Sequence, residues 1–168
     1  MNTQINFLGK KFDNPIVVAS GILGVTGSCV VRNIKEGAGG VAMKSVSIEP
    51  CEGHVNPTIT TGSCFVINAV GLSNAGVEKS RKEIEYYKDN CTAPVIASIF
   101  AGDIDEFGKL TKEISKAEPD FIEVNISCPN VKDEYGKAFA QDTGLAQQVT
   151  KIVKKNTKIN AKKLDNIC

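Results

Sequence analysis

Residues 121–130, FIEVNISCPN, begin as an apolar alternation and end in Asn125, Ser127, Cys128, Pro129 and Asn130. Such an ending sets a thiol among amides and a hydroxyl. A cysteine has an ordinary pKa of about 8.5, so a modest shift leaves usable thiolate near neutrality. Side-chain amides offer both a donor and an acceptor. Pro129 lacks a backbone donor and stiffens the turn that would aim the thiol. Other strand-like runs close in the same way: Ser20 and Gly21 after one, Lys44 and Ser45 after another, Ser98 in a third. One lysine among small polar groups has a common bland explanation, a side chain snorkelling to the surface. The joint pattern argues for a single face where chemistry is done.

The elements that would carry these residues alternate. PIVVAS (residues 15–20), GVAMKSV (40–46), PVIASIF (94–100) and FIEVNIS (121–127) read as buried strands. Helical patterns follow each of them, in SCVVRNIKEGAG, EKSRKEIEYYKD, DIDEFGKLTKEISKAE and TGLAQQVTKIVKKN, with Asp103 as a cap for the third. The stretch between the second strand and the second helix reads as a long irregular loop. INFLGKKFDN reads as a small hairpin ahead of the first unit. Strand and helix alternating in this manner imply an α/β fold with a parallel sheet and right-handed crossovers. In such folds the carboxyl ends of the strands form the working face.

The bulk properties narrow the class further. A chain of 168 residues with 42% hydrophobic and 23% charged content has room for one domain with a real core. A net charge of +1 leaves no footprint for nucleic acid, and no apolar run spans a bilayer. The amino terminus lacks a charged start followed by an apolar stretch, so a cytoplasmic protein is expected. Among Cys29, Cys51, Cys64, Cys91, Cys128 and Cys168 there is no C-x-x-C pair, and the single His54 has no partner at metal-ligand spacing, so no metal site is expected. GILGVTG has the spacing G-x-x-G-x-x-G, which is not the dinucleotide fingerprint.

NISCPN, taken with AMKS and NAVGLSN, resembles class 1 dihydroorotate dehydrogenase over about residues 5–155. ASGILGVTG, EGAGGVAMKSVSIEPCEGHVNPT and NAVGLSNAGVE are similar to the NAD-linked class 1B catalytic subunit. The resemblance implies a (β/α)8 barrel binding FMN at its carboxyl-end face and oxidising dihydroorotate to orotate in pyrimidine biosynthesis. It makes Cys128 the base that removes a ring proton. It places Ser20, Lys44, Ser45, Ser98 and Asn125 against FMN, and Lys44, Asn68, Ala69, Val70, Gly71, Leu72 and Asn125 against substrate. It also implies a homodimer, and a partner iron–sulfur flavoprotein carrying FAD. The loop VKDEYGKAF then reads as a lid.

A whole barrel needs about 250 residues, whereas this chain supplies four βα units and is expected to form the N-terminal half. Residues 1–158 are read as that half-barrel and 159–168, which show no apolar run, as a polar tail outside the family. The half-barrel by itself is expected to lack activity and to expose the edges of its first and fourth strands. Two other readings compete: a non-catalytic fragment that self-associates, and a flavin oxidoreductase related to dihydropyrimidine dehydrogenase.

Overall fold

A computed structural model describes residues 2–127 and 138–162. Its frame is a five-stranded sheet in the order β3-β4-β7-β8-β9, parallel throughout. The strands are β3 (Val17–Val18), β4 (Gly40–Ala42), β7 (Val95–Ile99), β8 (Phe121–Val124) and β9 (Asn160–Lys162). Helices α1 (Gly27–Lys35), α2 (Gly76–Asn90), α3 (Ile104–Ser115) and α4 (Thr143–Asn156) connect them. Chain order and sheet order agree, as successive right-handed βα units require.

Three of the four helices, α1, α3 and α4, start where the sequence supplies an acceptor. Thr26 accepts from the Cys29 amide at 3.3 Å, Asp103 from Glu106 at 2.7 Å and Asp142 from Leu145 at 3.0 Å. Phe107, Leu110 and Ile114 recur on one face of α3 and are fully buried, against Val149 and Val153 of α4 in the same core. A Cβ at Gly108 would come within 2.9 Å of Ile152, so the glycine allows α3 and α4 their close approach. Phe107 meets Phe139 edge-on at 5.7 Å.

The opposite end of the sheet is closed by the expected hairpin, β1 (Ile5–Phe7) with β2 (Lys10–Phe12). Leu8 and Gly9 both have positive φ, 51° and 80°, the type I′ geometry that suits a two-residue hairpin loop. Phe7 and Phe12 lie 5.7 and 6.0 Å from Phe121 at the start of β8. This plug covers the amino ends of the strands and leaves their carboxyl ends as the open face.

Three expectations differ from the structure. The supposed polar tail contains β9, which pairs in parallel with β8 from Phe121↔Asn160 to Glu123↔Lys162. Backbone pairing with β8 needs no apolar run, and the fourth strand is therefore not a bare edge. The long loop holds an antiparallel hairpin, β5 (Ile59–Thr61) with β6 (Val66–Asn68), whose residues are all exposed. The first strand, read as buried, has only two paired residues, with Ile16 63% and Val17 40% exposed. It is the sheet's edge, with no described neighbour on its outer side. No helix among the described residues is long and apolar enough to cross a membrane.

Truncating Phe107 to alanine should cost about 3–5 kcal/mol, while Asp103→Ala should cost only about 1 kcal/mol through the lost cap. Urea denaturation midpoints of the two variants should keep that order. Equal losses would show that the α3 face does not carry the core.

Candidate functional site

The site begins with a register shift. Ala42 is paired with Ile96, yet the next bridge joins Val46 to Ile99, so one extra residue is accommodated on the β4 side. Such a bulge re-aims side chains at a strand end. It sets Ser45 rather than Lys44 beside Ser98, and the two hydroxyls lie 2.7 Å apart. The Val46 amide donates to the Ser98 carbonyl at 3.1 Å, and the Phe100 amide donates back to Val46 at 3.0 Å, which locks the bulge.

Around this pair the strand ends converge. Ser20, after β3, donates to the Met43 carbonyl at 2.8 Å and lies 3.2 Å from the Ser45 hydroxyl. Asn125, just beyond β8, is fastened by its backbone amide to Ile99 at 2.8 Å, and its Nδ2 donates to Ser45 Oγ at 3.4 Å. Ser98 donates to Glu123 Oε1 at 2.6 Å, its registered partner on β8. Ser45 and Ser98 are 4% and 1% exposed, so they form a floor. Ser20, Lys44 and Asn125 are half-buried above it.

Lys44 stands beside Gly21 and Gly24 in a cleft of about 490 Å³ whose walls include Val70, Ser73 and Asn74. Its backbone amide donates to Gly24 at 2.8 Å. A Cβ at Gly24 would strike the Ala42 carbonyl at 2.7 Å, so only glycine lets this loop lie on the end of β4. On the other wall, Gly71 and Leu72 both have positive φ, 72° and 58°. A leucine held there is backbone strain that the surroundings must compensate. Asn74 provides the hold: its Nδ2 donates to Ser47 Oγ at 3.0 Å and to the Leu72 carbonyl at 2.9 Å, and its Oδ1 accepts from Gly76 at 2.9 Å.

The residues singled out from the sequence thus separate into groups. Ser20, Ser45, Ser98 and Asn125 come together in one polar cluster, while Lys44 and Val70 share the neighbouring cleft. Gly71 and Leu72 make the turn beside Val70. Asn68 and Ala69 are exposed at the end of β6 and do not line that cleft. Cys128 and most of the supposed lid lie outside the described residues, as does Cys168. Glu123 and Asn74 went unread. An acid inside an otherwise apolar strand was the signal for Glu123, whereas nothing local distinguishes Asn74 from other loop amides.

Burial raises the Glu123 pKa above the ordinary glutamate value, and the Ser98 hydroxyl opposes part of that shift. The protonated form is therefore favoured by folding. Its contribution to stability is complete below the ordinary value and is lost as pH rises through the raised one.

Residues 2–163 match the family model described as dihydroorotate dehydrogenase. A dihydroorotate dehydrogenase B (NAD(+)) catalytic subunit from Methanocaldococcus jannaschii is 42% identical over 159 residues, which is 93% of this chain and 51% of the relative. The Pyrococcus furiosus protein of the same name is 41% identical, over 92% of this chain and 50% of its own length. The chain spans about half the length of the curated relatives it matches. A solved ligand-free dihydroorotate dehydrogenase from Eimeria tenella superimposes with a TM-score of 0.79 at 18% identity, covering 92% of this chain and 45% of that one. That likeness places the five strands and four helices as the first half of a TIM barrel.

Between about pH 4 and 8, Glu123→Gln should gain stability relative to the parent as pH rises. Denaturant midpoints across that range would check it, and a gap independent of pH would show that Glu123 does not titrate differently on folding.

Proposed function

Since the chain belongs to the dihydroorotate dehydrogenase family, we propose that it supplies the FMN- and substrate-facing half of an enzyme that oxidises dihydroorotate to orotate in pyrimidine biosynthesis. The observation that carries this reading is the convergence of Ser20, Lys44, Ser45 and Asn125 at the carboxyl ends of β3, β4 and β8, around Ser98 of the intervening β7. The donor set suits a flavin: neutral hydroxyl and amide groups match a ring edged with carbonyl and N–H groups, and one ammonium suits the negative charge of its reduced form. FMN, when bound, supplies the two-electron acceptor that these side chains lack.

In this reading Ser20 and Asn125 hold the ring, Lys44 offers the cation for ring or carboxylate, and the Val70–Leu72 turn walls the substrate side. The floor of Ser45 and Ser98 keeps those contacts from shifting. Cys128 takes the ring proton as a general base, because a thiol can be tuned to titrate near neutrality. The same reading includes cytoplasmic location, a homodimer and an electron-transfer partner subunit with FAD and an iron–sulfur cluster, consistent with relatives named as catalytic subunits.

A second reading is favoured by one feature. The β3 edge, with Ile16 and Val17 exposed, is the kind of surface through which a half-barrel pairs with another copy. A stable dimer that excludes flavin would support it. Competition between orotate and uracil analogues separates a dihydropyrimidine dehydrogenase-like site from the proposed one.

The test is flavin and orotate binding by the purified chain. FMN should be retained through desalting, and Lys44→Ala should weaken orotate binding about tenfold or more, equivalent to about 1.4 kcal/mol. Cys128→Ala should keep both ligands while abolishing turnover in the assembled enzyme. A colourless chain that binds neither ligand would overturn the reading.

A further inference from the structure

We propose that Glu123 is a positioning residue, which orients the Asn125 amide through a one-way chain of hydroxyls formed by Ser98 and Ser45. Once ionised, Glu123 can only accept, and Ser98 donates to it at 2.6 Å. Ser98 has one hydroxyl proton, so its 2.7 Å bond with Ser45 must be donated by Ser45. Ser45 then has no proton left and can only accept, from Asn125 across 3.4 Å, while the Ser20 hydroxyl 3.2 Å away gives its own proton to the Met43 carbonyl. The amide of Asn125 is thereby held with Nδ2 toward Ser45, and Oδ1 becomes the acceptor on its other side.

Geometry makes the chain rigid. Ser98 and Glu123 are registered partners on adjacent strands, and the β4 bulge brings Ser45 into line with them. Both hydroxyls are buried, where a hydrogen bond left unmade costs about 1–3 kcal/mol. Remove the terminal acceptor and each hydroxyl can turn either way, which releases Asn125 to flip. Its consequence for ligands, selection of a ring that offers an N–H to Oδ1, rests on the function proposed above.

The Asn125 side-chain 15N–1H resonances of the full chain, selectively labelled at asparagine and recorded at about pH 8, report this directly. Ser98→Ala and Glu123→Leu should each shift them well beyond the linewidth, and the double variant should shift them no further than the larger single change. Ile122→Val, on the opposite face of the same strand, should leave them in place. Ser98→Ala removes a single oxygen, so it keeps the test alive if Glu123→Leu does not fold.

Unmoved Asn125 signals in Ser98→Ala, additive shifts in the double variant, or an equal shift in Ile122→Val would each overturn the proposal. Adding FMN and orotate to the same samples separates the two ideas. An Asn125 response without ligand binding supports the hydroxyl chain and counts against the proposed function. Ligand binding with Asn125 indifferent to Ser98 overturns the chain and leaves the function standing.

Discussion

The site depends on the pairing of β4 with β7, and specifically on the extra residue between Ala42↔Ile96 and Val46↔Ile99. Backbone hydrogen bonds on both sides of the bulge are fixed by the sheet, so the irregularity cannot migrate without breaking them. A regular ladder would align Lys44 with Ser98 and push Ser45 toward the helices. The bulge instead gives both residues to the open end of the sheet: Ser45 to the floor and Lys44 to the cleft. Ser20 and Asn125 then reach the same floor from the flanking strands.

Polarity on this floor is tolerated because it is shared. Ser45 and Ser98 are as buried as the core valines, yet each hydroxyl has partners in the adjacent strand. A buried hydroxyl without such a partner would be costly. Glu123 is the end of this network and the reason it has a direction. Its burial is unfavourable in the charged form, so the fold carries a local cost beside the Asn125 amide. Leu72, held at positive φ by Asn74, is a second local cost on the facing wall.

The two ends of the sheet have separate roles. Phe7, Phe12 and Phe121 form an aromatic plug at the amino ends. The carboxyl ends are left to glycines, serines and amides. Between them, α3 and α4 bury their apolar faces against the sheet, and Gly108 sets how closely they pack. The relatives are twice as long, so the described strands present one side of a barrel whose other side belongs to their remaining halves.

The local code was sufficient for the helices, for the hairpin at Leu8 and Gly9 and for the parallel class of the sheet. Caps, periodicity and turn residues act over a few residues and need no partner. The polar endings of the strands also marked the open end of the sheet, where Ser20, Lys44, Ser45, Ser98 and Asn125 come together. What only tertiary structure decided is of another kind. Asn160–Lys162 becomes a strand because β8 offers it an edge, although its own residues do not announce one. Val17 is exposed because of where β3 falls in the sheet order, since nothing described lies beyond it. Glu123 looks like a surface acid until register sets it against Ser98, and Ser45 meets Ser98 only through a bulge that no short window of sequence specifies. Register and burial are properties of pairs of segments far apart in the chain, and they were settled when the sheet formed.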